Sequence, residues 1–521
     1  MSRKPLQLVI AALAMAVSVY VVAAPFLVVH YPPITDLPFH AAAASILRHY
    51  LDPSFHFQEQ FSLHFIASPY WTLYVLGALF ALVFPITWAM KLASILLLLL
   101  LPAGLSVLCA GMKKSPLLGL LALPLVWNTL THWGFINFVA AIGLFAMVVG
   151  TTLLLLDRPS PSRQNALAIL LFLVFGTHIF RFPFALAAVI GTALLMYPAT
   201  RRFRPILLPM VPSIIAMVAW LLTRNKELSA EGMEPLKFHL ERFKEMAPLL
   251  FGAFTSPEEQ RLFQQSQRII IGVALVCALF KLIEQKDAIH SIPARKLRFI
   301  FFAHLVSLGI AAVFLSLFLT LPMQVGSWWY VYPREIVSAL FMALALIPNL
   351  PRASWARLPL LALIAYGGVA QSSLVSKNFA KLGAAGEDFR RIVQSIPQAP
   401  RLGYLVWDRD YPGFTAHPFL HMPAWIQAEK GGWLSFHFVS GNASPIRYRE
   451  HSPVVPPPTP LRFEWTPERF DLKTRGAFFD WFLVRRENGP DPRFRQDSSL
   501  RLVDHVGPYW LYHRERALPG R

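Results

Sequence analysis

Acidic side chains are scarce in this chain, and cysteine is nearly missing. Its 521 residues include 29 Asp or Glu against 48 Lys or Arg, and two cysteines, Cys109 and Cys277. Both cysteines lie in apolar runs, so neither a disulfide framework nor a thiolate metal site is available. Charge of either sign is thin: 15% of residues are charged and 55% hydrophobic, with a mean hydropathy of +0.47. Soluble domains carry about a quarter charged residues, so this composition marks an α-helical polytopic membrane protein. The sequence has no phosphate-cradling glycine loop, Walker motif, Gly-x-Ser-x-Gly elbow or His-Glu-x-x-His. Those absences exclude ATP-driven pumps and the common soluble hydrolases. Nothing repeats at a solenoid period.

What is there is basic, with a formal net charge of +19. The Lys and Arg residues fall in short clusters between apolar runs, as topology signals do. They suit anionic lipid headgroups, and nucleic acid is not an expected partner. Arg3 and Lys4 precede the first apolar run and hold its amino end in the cytoplasm. The length of that run reads as an anchor rather than a cleaved signal.

One short apolar run, 70–84, decides the topology. If it crossed, the next run would exit outside and strand Lys113 and Lys114 on the wrong face. If it lies at the membrane surface or re-enters, those lysines are cytoplasmic. The later clusters at 158–163, 201–204, 281–298 and 352–357 then fall inside as well. This second arrangement predicts about eleven spans plus juxtamembrane helices. They lie near 6–29, 87–110, 116–130, 138–156, 166–177, 184–197, 205–222, 269–283, 299–319, 336–348 and 358–374. Residues 1–375 form the transmembrane part, with external segments 30–86 and 223–267. In the second segment Leu236, Leu240, Phe243 and Ala247 recur at helical spacing, as in a helix lying in the interface. After Ser376 the composition turns polar, and 376–521 reads as a small α/β extracytoplasmic domain. It has strands expected at 402–407, 477–484, 500–503 and 508–513, and helices at 387–395 and 421–430. A proline-rich loop is expected at 453–460.

Under this topology the polar residues at membrane depth gather at external span ends. The organising stretch is Tyr31-Pro-Pro-Ile-Thr-Asp36-Leu-Pro-Phe-His40, just after the first span. Asp36 is the candidate catalytic residue, as a general base or as the carboxylate that orients an acceptor hydroxyl. The other reading is a helix cap, since a proline and a run of alanines follow. His40 lies one helical turn on, positioned to meet Asp36 or substrate. Lys91 sits near the outer end of span two, where it snorkels or meets an anion. His132 and Asn137 flank Gly134 in an external turn, with Trp133 and Phe135 as interfacial anchors.

His178 and Arg181 are spaced i, i+3, which would let them grip one anion, or leave Arg181 to a loop carboxylate. Arg334 suits bidentate phosphate recognition, with Tyr330 and Tyr332 as hydrogen-bond donors or interface-belt residues. Glu335 is positioned to pair with Arg334. His417, His421 and His437 show no metal-ligand spacing. Asn442-Ala-Ser444 matches a glycosylation triplet but is followed by Pro445.

Together these features resemble the GT-C superfamily of membrane glycosyltransferases. The resemblance rests on an acid in the first external loop (Asp36), a juxtamembrane helix before span two, a basic residue entering it (Lys91), polar external loops and an external carboxy-terminal domain. The segments Asp36-Leu-Pro-Phe-His40, Gly134-Phe-Ile-Asn137, Tyr332-Pro-Arg334, Phe478-Phe-Asp-Trp-Phe-Leu-Val-Arg485 and Gly507-Pro-Tyr-Trp-Leu-Tyr512 are similar to those of bacterial members. The resemblance implies transfer of a sugar, with inversion, from a polyprenyl-phosphate carrier to an envelope glycan, lipid or protein. That transfer would take place on the outer face of the bacterial cytoplasmic membrane. Many members carry paired acids in the first loop, whereas Leu37 follows Asp36 here. That departure puts metal coordination in doubt, and a divalent metal ion is an optional rather than an expected cofactor. The alternative reading is a transporter or flippase of a lipid-linked envelope precursor, although no inverted repeat supports it. A third is a non-catalytic scaffold whose tail binds an envelope partner.

Overall fold

A computed structural model describes residues 3–65, 68–223, 237–286, 293–325, 328–440, 444–450, 452–459 and 463–515. Leu236 of the expected interfacial helix, Asn442 of the glycosylation triplet and the end of the proline-rich loop at Pro460 lie outside the described residues.

The chain divides into two compact units, each threaded by several segments. The first comprises Met1–Ala24, Ile95–Thr131 and Phe135–Val375. Among the described residues of the whole chain, eight helices are long and apolar enough to cross a bilayer. Leu6–Leu27, Ile86–Gly111, Ile136–Asp157, Arg181–Thr200 and Arg204–Thr223 come first, followed by Pro257–Glu284, Ala294–Thr320 and Ser354–Gln394. The chain is thus a multi-pass membrane protein. Three expected spans are shorter. Residues 116–130 begin as the 3-10 helix Pro116–Leu125, whose interior Pro124 interrupts regular α-helical bonding. Residues 166–177 end a helix of 17 residues, and 336–348 begin as one of 12. Residues 240–247 are helical in two pieces, Leu240–Glu245 and Met246–Phe251, with Leu240 and Phe243 exposed.

The helices Ile86–Gly111 and Ile136–Asp157 approach through facing glycines seven residues apart on each. A Cβ on Gly104 would lie 2.2 Å from the Gly143 carbonyl oxygen, and one on Gly111 2.6 Å from that of Gly150. Lipid offers no hydrophobic drive between helices, so such backbone-to-backbone packing supplies the cohesion.

The second unit comprises Pro25–Ser94, His132–Gly134 and Ser376–Arg521. Its five-stranded sheet runs Trp433–Leu434, Arg401–Val406, Trp481–Arg485, Tyr509–Arg514, Leu500–Val506 across. The first two pairings are parallel and the last two antiparallel. Arg401–Val406 is buried along nearly its whole length, as a strand covered on both faces must be. Two expected elements differ. The helix anticipated at 387–395 is the end of Ser354–Gln394, one continuous helix of 41 residues. The stretch 52–64 is not plain loop, because its strand Phe61–Leu63 pairs antiparallel with Ile446–Tyr448. Alanines 41–44 are all buried and let the helix Leu37–Arg48 pack closely against Ala424–Lys430 and Thr72–Phe80. The helix Thr72–Phe80 has nine residues. At about 1.5 Å per residue it covers about 13 Å, too little for a hydrocarbon core of about 30 Å.

Candidate functional site

In the second unit the site is built on the start of the helix Leu37–Arg48. Asp36 occupies the residue before its first turn, yet its side chain makes no capping bond. The carboxylate turns instead to His421, whose Nδ1 lies 3.0 Å from Oδ1. Among the described residues Oδ2 accepts no hydrogen bond. The backbone around Asp36 is clamped by the segment His132–Gly134: Thr35 N–H donates to the His132 carbonyl and Asp36 N–H to that of Trp133, each at 3.1 Å. Gly134 has φ +94°, and a Cβ there would lie 2.7 Å from the Asp36 Cβ. Only glycine meets both demands.

His40 stands one turn along the same helix, with Nδ1 3.3 Å from the Tyr74 hydroxyl. Burial lowers its pKa, partly opposed by the Asp36 charge. Burial, reinforced by Asp36, raises that of Tyr74. The His421 ring is wedged between Phe39 and Phe438, at 4.7 and 5.3 Å between centroids. His132 is fully buried against Phe379 and Phe414, and burial pushes its pKa down to about 3. Trp133 is not a lipid anchor but is largely buried, with its ring 5.1 Å from that of His417. Lys91 donates to the Val29 carbonyl and lies over Trp88 at 4.4 Å. The bond to Val29 ties down the stretch that leads to Asp36.

The first unit holds a separate cationic group. The expected anion grip by His178 and Arg181 is not formed. The helix Pro161–Thr177 ends before His178, which is extended, and a new helix starts at Arg181, so the two share no helical face. Nor does Glu335 pair with Arg334, because successive residues on a helix diverge. Glu335 instead takes Arg181 in a buried ion pair, with contacts of 3.1, 3.1 and 3.3 Å, and Ser338 Oγ accepts from Arg181 at 2.9 Å. Phe138 and Phe314 cover that guanidinium, at 4.7 and 4.5 Å.

His178 meets Arg334, with Nε2 3.5 Å from Nη1. Burial, then the charges of Arg334 and Arg181, lower the His178 pKa well below its ordinary value, so the ring is neutral. Arg334 donates to the carbonyls of Tyr330 and Trp329, each at 3.0 Å, and stacks on Phe135 at 4.4 Å. Phe135 is therefore a platform for Arg334 rather than an interface anchor. Tyr330, at φ +63°, is held by this turn. Tyr332 donates its hydroxyl to Glu245 at 2.6 Å. Asn137 is buried, and among the described residues its Oδ1 has no hydrogen-bond partner.

Sequence reading missed His421, Tyr74 and Ser338. No local signal points to His421, which lies 385 residues from Asp36. Ser338 was within reach, since it follows Arg334 at i+4 and its hydroxyl donates to the Arg334 carbonyl. Among the described residues no three His, Cys, Asp or Glu side chains converge.

No family model matches the sequence, and no curated protein matches it. Solved structures that share its fold include two of one protein. One is ArnT from Cupriavidus metallidurans bound to undecaprenyl phosphate, with a TM-score of 0.54 at 13% identity over 100% of both chains. The other is ArnT from Cupriavidus metallidurans in the apo state, with a TM-score of 0.56 at 13% identity over 98% of both. At that identity the likeness concerns architecture. In fold the chain is ArnT-like, as the GT-C resemblance implied: a polytopic helical membrane protein carrying a small sheet near its carboxy terminus.

Proposed function

We propose that the protein is an inverting glycosyltransferase. It moves a sugar from a polyprenyl-phosphate carrier to a hydroxyl of an envelope glycan, lipid or protein on the outer face of the cytoplasmic membrane. The observation that carries this reading is the Asp36 carboxylate, which stands at a helix start, makes no capping bond and, among the described residues, keeps one oxygen unengaged. The shared fold with ArnT, solved with undecaprenyl phosphate, supports a polyprenyl-phosphate donor. Residues 1–375 serve in this reading as the transmembrane GT-C-like part and 376–521 as the extracytoplasmic domain, in line with the basic clusters that hold the opposite loops inside.

Asp36 Oδ2 takes the proton of the acceptor hydroxyl as the acceptor oxygen bonds to the anomeric carbon. The bond from that carbon to the phosphate oxygen breaks, and polyprenyl phosphate leaves with the electron pair. A phosphodiester is already a fair leaving group, so a fixed cation serves it better than an acid. Arg334 fits that role: its guanidinium is planar, always charged and preset by two carbonyls and an aromatic face. Neutral His178 beside it adds a polar contact without competing charge. Arg181, already neutralised by Glu335, acts as a staple for the helix that carries Arg334.

The test is Asp36→Asn in the full-length protein, assayed with a lipid-linked sugar. Transfer should fall by roughly 10²- to 10⁴-fold, the usual worth of a general base. Wild-type turnover in that variant would refute the base role.

A further inference from the structure

We propose that His421, from the carboxy-terminal part of the chain, is a positioning residue for the Asp36 carboxylate. The base is then completed by residues 376–521. The inference rests on the role proposed above for Asp36. It is carried by the 3.0 Å contact between His421 Nδ1 and Asp36 Oδ1, by the burial of the imidazole and by the lack, among the described residues, of any other hydrogen bond to the carboxylate.

The tautomer follows from the partners. A carboxylate accepts hydrogen bonds, so Nδ1 must carry the proton that faces it. Nε2 is buried and, among the described residues, has no partner. His421 is thus a donor to Oδ1 through Nδ1. Phe39 and Phe438 hold the ring on two sides, and the His421 carbonyl accepts from Ala424 N–H at 3.0 Å. The donor therefore has little freedom to leave Oδ1. With Oδ1 pinned, Oδ2 is the oxygen left for the acceptor hydroxyl, and the carboxylate rotamer is set before substrate arrives.

Three variants of the full chain test this with a lipid-linked sugar as donor. A charge-assisted hydrogen bond governs the Asp36 rotamer, so His421→Ala should lower kcat by ~10- to 100-fold. The KM for the donor should stay unchanged. His421→Asn, whose amide nitrogen stands close to where Nδ1 does, should recover most of that loss. Asp36→Asn combined with His421→Ala should be no worse than Asp36→Asn alone, as expected of groups that act as a unit. Wild-type kcat in His421→Ala would overturn the proposal, and so would failure of His421→Asn to recover activity despite an unchanged melting temperature. Either result alongside an inactive Asp36→Asn leaves the base reading standing. An active Asp36→Asn would sink both.

Discussion

Replacing Gly134 with Ala should damage both stability and turnover, and the structure fixes the reason. The new Cβ would lie 2.7 Å from the Asp36 Cβ and 2.8 Å from the Asp36 backbone nitrogen. Carbon atoms in contact prefer about 3.5–4.0 Å, so the two backbones must part by roughly 0.8 Å. Neither neighbour is the tip of a flexible side chain. At φ +94° an L side chain adds strain of about 1–2 kcal/mol, and overpacking adds about 1–3 kcal/mol. The expected destabilisation is therefore about 2–5 kcal/mol, read as a lower melting temperature in detergent. The displaced residue is Asp36 itself, and a misplacement of about 1 Å costs about 10²-fold in rate. Surviving folded protein should thus show a kcat reduced by about that factor. Gly191→Ala is the matched control, because nothing lies within 4 Å of a Cβ there. A Gly134→Ala protein that melts and turns over like wild type would refute the packing argument.

Two further outcomes follow from buried charge. Glu335→Ala leaves the fully buried Arg181 guanidinium without its counter-charge. It should cost about 3–5 kcal/mol, whereas Arg181→Leu with Glu335→Leu together should cost much less, because a buried pair contributes little net stability. A double-mutant cycle in detergent checks this, and strictly additive losses would count against it. Acid should destabilise the fold through His132 and His437, each pushed by burial to about 3. Unfolding lets each titrate near 6.5, so the unfolded state binds more protons as pH falls below that value. Stability should drop by about 2 kcal/mol per histidine between pH 6.5 and 5. His437→Leu should flatten that slope, and an unchanged slope would contradict the assignment.

Sequence alone determined the class of this protein. Few charges, long apolar runs and clustered Lys and Arg leave little choice for a chain that must satisfy its backbone inside lipid, and these features follow from local composition. The same local reasoning put Asp36 and Arg334 forward as candidates and kept residues 70–84 from being counted as a span, which the nine-residue helix Thr72–Phe80 supports. Tertiary structure decided the partners. His421 reaches Asp36 across 385 residues, Glu335 chooses Arg181 over its neighbour Arg334, and Gly134 is required because Asp36 lies against it. Pairings of this kind depend on which helix ends meet after packing. A hydrogen bond or ion pair is set by distance and direction in space, and spacing along the chain carries neither once a helix has ended.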